Sequence, residues 1–133
     1  MEARERNVLY YQLASGQSPA RDYRQSIFDR DLKAAVDARI ARMRGGNFGD
    51  SKSVGKGVSE SRIDYGPGYR IYYGVMGDEI ILLLISDKSA QDSDIQTAKG
   101  YWEDYKERRK QEREKQNAKK TKLPRRPSGR SKE

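Results

Sequence analysis

Residues 66–86 constrain the fold of this chain more than any other stretch. Two tight-turn signals, Gly66-Pro67-Gly68 and Gly77-Asp78, bracket Tyr69 to Met76, a segment rich in β-branched and aromatic side chains. Glycine supplies the positive φ that a two-residue hairpin needs. Val58 to Tyr65 before and Glu79 to Ser86 after then complete three consecutive antiparallel strands. The unbroken run Ile80 to Ile85 marks the third strand as interior, covered on both faces.

The segments around this meander read as strand and helix. Val8 to Leu13 is rich in β-formers and ends in Ala-Ser-Gly. Ser18 followed by Pro19 is a helix start, a hydroxyl N-cap and then a proline whose missing N–H costs nothing there. A first helix is expected from about Pro19 to Arg30, with Tyr23 and Ile27 one turn apart. A second is expected from about Leu32 to Arg44, where Val36, Ile40 and Met43 form an apolar stripe and Gly45-Gly46 ends it. A glycine-punctuated loop leads to Val58. A last helix begins at Ser89, with Ile95, Ala98, Trp102 and Tyr105 on one side. The order β-α-α-β-β-β-α predicts an α+β domain: a small twisted antiparallel sheet, an N-terminal helical hairpin packed on one face, and the other face open.

Charge divides the chain. Residues 106–133 hold 13 Lys and Arg against 4 Asp and Glu, whereas residues 1–105 hold 15 against 16. The body is near neutral, so nucleic-acid binding by the folded domain must rest on a local patch. The expected organisation is a domain over 1–105 and a basic, largely disordered tail over 106–133, with room for a charged helix to continue some turns past Tyr105 until Pro124 and Pro127 forbid it. Arg125-Arg126, with Lys119, Lys120 and Lys122 before them, suit either a nucleic-acid arm or a solubilising extension. Cysteine and histidine are absent, so no disulfide framework, thiolate metal site, zinc site or other cofactor is expected. The opening MEARERN carries no apolar core of a secretory signal, and the longest apolar run is too short to span a bilayer. A cytoplasmic protein without membrane association is the expectation.

Strand alternation selects the side chains that meet. Glu60 and Arg62 share one face of their strand, and Arg70 and Tyr72 share one face of the next. Paired in a hairpin, they place two guanidiniums, a carboxylate and a phenol on the open face. Lys52 and Lys56 from the loop and Lys88 from the following strand end line its rim. Convergent cations of this kind can clamp a phosphodiester and stabilise charge developing on it. Glu60, or a lysine with a lowered pKa, could accept a ribose 2′-hydroxyl proton. Tyr72 is either a stacking platform for a base or a filler of the sheet surface. Against this, Arg and Glu at i, i+2 on a half-exposed strand are most often a surface pair worth less than ~1 kcal/mol.

Two lookalikes fall away. GNFGDSKS at 46–53 has Ser51 where a P-loop needs its second glycine, and it follows a helix rather than a strand. Asp87, Asp92 and Asp94 match no calcium loop and suit the positive end of a helix instead.

The strings GNFGD, RIDYGPGYR and DKS-Q together resemble the RelE/ParE superfamily of type II toxin–antitoxin toxins, in its phage-type addiction module killer branch, close to HigB-like toxins. The similarity covers roughly Val8 to Tyr105. It implies a ribosome-dependent mRNA endoribonuclease, an mRNA interferase acting by metal-independent transesterification and neutralised by a cognate helix-turn-helix antitoxin. By position, Arg70 of GYR is the arginine expected to stabilise the scissile phosphate, and Arg62 is the basic position of the preceding strand. Glu60 stands where some relatives place a lysine, Lys88 matches the basic residue at the end of the last strand, and Lys52 lies in the loop that contacts RNA in relatives. The chain departs from the pattern at Ser61, where leucine is frequent, and at Ala90, where a hydroxyl is lost. Ile95 falls nearest the place of a C-terminal tyrosine. Two rival functions remain: a ParE-like inhibitor of DNA gyrase without nuclease activity, and a non-toxic orphan that binds an antitoxin or nucleic acid.

Overall fold

A computed structural model describes residues 5–125, with side chains through Lys119. Among these residues the protein is α+β, with three helices and a five-stranded mixed sheet. The strands are β1 (Asn7–Tyr10), β2 (Asp50–Gly55), β3 (Val58–Ile63), β4 (Tyr69–Met76) and β5 (Glu79–Asp87), and the helices are α1 (Pro19–Ser26), α2 (Arg30–Arg44) and α3 (Gln91–Arg125). The sheet order is β1-β5-β4-β3-β2.

The meander expected over 58–86 forms as β3, β4 and β5, with Arg62 opposite Arg70 and Arg70 opposite Ser86. Two features of the sheet differ from expectation. β1 pairs with β5 in parallel, so the sheet is mixed rather than antiparallel. The glycine-punctuated loop also contains a strand: β2 pairs with β3 in antiparallel register from Asp50 opposite Arg62 to Gly55 opposite Val58. Asp50, Lys52 and Val54 alternate with Ser51 and Ser53, a period of two that the polar composition hides.

One face of the sheet packs on the helical hairpin. Ile63, Ile71, Tyr73, Ile80, Leu82 and Ile85 meet Ala20, Leu32, Val36, Ile40 and Met43 in a single core. The helices break at 27–29 because Asp29 caps α2, accepting from the backbone N–H of Asp31 at 2.9 Å and of Leu32 at 3.2 Å. Ser18 does not cap α1. Its buried hydroxyl donates to the Tyr11 carbonyl at 2.9 Å and ties the helix start to the end of β1.

The second face is not open. Ala98 and Trp102 of α3 are buried together with Val58, Glu60, Tyr72, Ile81 and Leu83. Gly74 leaves the room for Trp102, since a Cβ at that position would lie 2.6 Å from the indole ring. The Tyr11 and Tyr101 rings stack with centroids 4.8 Å apart on the same side.

Residues to Trp102 form one compact unit and residues from Glu103 another. In the second, α3 continues to Arg125, so 106–125 is helical where a largely disordered tail is expected, and residues 126–133 lie outside the described ones. Lys, Glu, Arg and Gln are strong helix formers. Arg108 adds an i, i+4 ion pair to Asp104 at 2.7 Å, and Lys106 an i, i+3 pair to Glu103 at 3.1 Å. No described helix is long and apolar enough to cross a membrane.

Candidate functional site

Cross-strand register builds the site. Asp50 of β2, Arg62 of β3, Arg70 of β4 and Ser86 of β5 stand in one row, and Lys52, Glu60, Tyr72 and Leu84 in the next. Opposed residues in a sheet hold their Cβ atoms about 5 Å apart. Two arginines so placed repel, and each is balanced by its own carboxylate. Arg62 hydrogen-bonds Asp50 through two nitrogens, at 3.2 and 3.4 Å. Arg70 Nε lies 3.3 Å from Glu60 Oε1.

The Arg70–Glu60 pair is the buried one. Glu60 has no exposed surface and the Arg70 side chain is 11% exposed. The contact is an ion pair without a well-directed hydrogen bond, since Arg70 Nε and both Glu60 oxygens lack hydrogen-bond partners among the described residues. Lys52 Nζ approaches the far Glu60 oxygen at 3.9 Å from a side chain that is 59% exposed. Glu60 therefore sits behind the arginine, out of reach of a macromolecular substrate. That removes it as a direct proton acceptor and leaves it as the counter-charge that holds Arg70.

At the end of the Arg62–Arg70 row is a pocket of about 340 Å³. Arg62, Arg70 and Lys88 line it together with Asp50, Asp64, Tyr69 and the Gly66-Pro67-Gly68 turn. Lys88 reaches it because Asp87 caps a 3-10 turn over 88–90, accepting from the Ser89 N–H at 2.9 Å. That turn sets Lys88 beside Gly68, its Cδ 3.8 Å from where a Cβ would stand. Three cations and two carboxylates facing one cavity can bind a phosphodiester and move a proton beside it.

Two expected members do not belong. Tyr72 is fully buried between the sheet and α3 and offers no stacking surface. Its phenol is pushed up to about 12, first by burial and then by the Glu60 carboxylate. Lys56 sits in the β2–β3 turn with φ 58°. That is the opposite end of β3 from the pocket, roughly 20 Å away at about 3.3 Å per residue.

Three contributors escape a reading by residue type. Asp50 hides in β2, and Asp64 shares the face of Glu60 and Arg62 by alternation but stands just past the end of β3. Arg39 of α2 donates through NH1 to Ser61 Oγ at 2.8 Å and to the Arg62 carbonyl at 2.6 Å, fixing the strand that carries Arg62. Ser61 in turn donates to the Phe48 carbonyl at 2.7 Å, so the small hydroxyl is a bridge rather than a gap in the core. Burial pulls the Arg39 pKa down, and Arg42 adds to it. Its polar position on a helix gives no hint of this role. Among the described residues no group of carboxylates gathers as a metal ion would require.

Over 68 residues, 50% of this chain, the sequence is 52% identical to an uncharacterized protein of Haemophilus influenzae (strain ATCC 51907 / DSM 11121 / KW20 / Rd), of which the match covers 69%. No protein-family model matches the chain, and no solved structure matches it significantly.

Proposed function

The chain belongs to the same family as that Haemophilus influenzae protein, and we propose that it is a toxin of the RelE/ParE kind that cleaves mRNA on the ribosome in the bacterial cytoplasm, with a RelE-like arrangement of its hairpin and sheet. The observation that carries this reading is the convergence of Arg62, Arg70 and Lys88 on one pocket. The strings GNFGD, RIDYGPGYR and DKS-Q add the resemblance. A cognate helix-turn-helix antitoxin is the matching partner.

In this mechanism Arg70 and Arg62 bind the non-bridging oxygens of the scissile phosphate. Asp64 or a lysine takes the 2′-hydroxyl proton as the 2′-oxygen bonds to phosphorus. The bond to the 5′-oxygen breaks, Lys88 protonates that leaving oxygen, and a cyclic phosphate and a 5′-hydroxyl result. Lys52, exposed on the next row, contacts the flanking backbone.

Brief induced expression in a bacterium, followed by mapping of mRNA 5′ ends beside an Arg70→Ala control, tests the reading. New ends in register with codons, absent from the control, are the expected result. Ends that persist unchanged in the control would overturn it. The Asp50–Arg62 pair favours one alternative, because a guanidinium already bound to carboxylate suits a docking surface: inhibition of DNA gyrase without RNA chemistry. Growth arrest with intact mRNA and gyrase-linked DNA breaks would select that alternative, and no arrest would select the non-toxic orphan.

A further inference from the structure

The helix beyond Trp102 carries a charge pattern that the pocket does not use. At 100° per residue, Lys106, Arg109, Lys110 and Arg113 fall within an arc about 100° wide. Glu107, Glu112 and Glu114 fall outside that arc, and Arg108, Lys115 and Lys119 lie on the opposite side. Neighbouring acids are partly neutralised within the helix: Glu103 by Lys106 at 3.1 Å and Asp104 by Arg108 at 2.7 Å.

What the helix lacks narrows its partner. Between Glu103 and Lys119 the only apolar side chains are Tyr105 and Ala118. A helix lying in a membrane surface needs a broad apolar face. A helix docking in a protein groove needs apolar anchors one turn apart. Neither is present. A stripe in which cations outnumber acids, with Glu103 paired to Lys106 and Glu112 beside Arg109 and Arg113 at its edges, is complementary to a row of phosphates. With the Tyr105 hydroxyl held by Arg109 at 3.0 Å, it contacts them regardless of sequence.

We propose that the Lys106–Arg109–Lys110–Arg113 face is a binding surface for the phosphodiester backbone of nucleic acid, and that its binding does not depend on cleavage at the pocket. Its affinity comes from counterion release and is strongly salt-dependent.

The test is fluorescence anisotropy of the full chain with a labelled oligouridylate across a salt series. One variant combines Arg109→Gln, Lys110→Gln and Arg113→Gln. Its control combines Arg108→Gln, Lys115→Gln and Lys119→Gln, the same charge change on the opposite side with glutamine a good helix former. The stripe variant is expected to flatten the slope of log affinity against log salt by about 2, at ~0.7 per single-strand phosphate contact. The control is expected to leave the slope nearly unchanged. Equal flattening by both variants would show bulk charge and overturn the proposal, as would no binding by the wild type. Abolition of binding by Arg70→Ala, or tighter binding to phosphatidylglycerol vesicles than to RNA, would overturn it too.

Discussion

Glu60 and Arg70 form a buried ion pair on adjacent strands, Oε1 to Nε 3.3 Å, with the carboxylate fully enclosed and the guanidinium exposed along one edge that lines the pocket. The charge that could meet a substrate is thus held from behind by one that cannot. Removing the carboxylate leaves a largely desolvated guanidinium without its partner, which costs about 3 kcal/mol or more. Glu60→Ala is therefore expected to lower the urea midpoint severely. Glu60→Ala combined with Arg70→Met should recover much of that loss, because no buried charge remains. A double variant as unstable as the single one would mean that the pair does not set the cost.

The pocket makes a second expectation specific to position. Inorganic phosphate at roughly ten times its Kd stabilises the native state by about 1.4 kcal/mol. A thermal melt of the wild type should accordingly rise by several degrees as phosphate is added at constant ionic strength. Arg70→Ala and Lys88→Ala should lose that rise relative to their own phosphate-free baselines. Lys56→Ala, at the far end of β3, should keep it. Equal effects of Lys56→Ala and Lys88→Ala would place phosphate elsewhere.

How far the sequence could lead is clear from these same residues. Period-two alternation in the apolar meander put Arg62, Arg70, Glu60 and Tyr72 on one face and in neighbouring rows, because hydrophobic pattern fixes register. Their exposure was beyond it. Whether a face is open depends on what crosses it, and Trp102 and Ala98 read equally well as packing on either side of the sheet. β2 was illegible for a different reason: an edge strand of Ser, Lys and Asp has the composition of a loop, and only its pairing with β3 makes it a strand. The parallel β1–β5 pair joins the first strand of the chain to the last, a distance over which local pattern carries no information.

Tyr72 predicts a loss of stability in alkali. Its phenol has an ordinary value of 10.0 and stands at about 12 in the folded protein. Above the ordinary value the unfolded chain releases this proton while the folded one keeps it, so the folded state binds more protons and stability falls with rising pH. The contribution is complete below pH 10 and lost between 10 and about 12. Two units correspond to about 2 to 3 kcal/mol. Tyr10 and Tyr23 are also raised by burial, so the readout is the difference between wild type and Tyr72→Phe in urea melts on either side of pH 10. Tyr72→Phe should soften the alkaline fall and cost little at neutral pH, since its hydroxyl has no hydrogen-bond partner among the described residues. Parallel alkaline curves for the two proteins would contradict a buried, unionised phenol.

Gly74 and Gly100 predict opposite signs for one chemical change. A methyl at Gly74 would lie 2.6 Å from two carbons of the Trp102 ring, and the ring is wedged against the sheet. Gly74→Ala must push the indole and the turn of α3 that carries it outward, at about 1–3 kcal/mol. Gly100 lies within α3 and a Cβ there meets nothing within 4 Å. Gly100→Ala should stabilise by about 0.5–1 kcal/mol through helix propensity. Trp102 is the only tryptophan in the chain, so its fluorescence reports the displacement directly. A red shift is expected for Gly74→Ala and none for Gly100→Ala. Replacing Trp102 by leucine makes room at the same place, so Gly74→Ala should cost much less in that background than in the wild type. An unchanged cost there would trace the effect to the β4 backbone rather than to the helix that covers it.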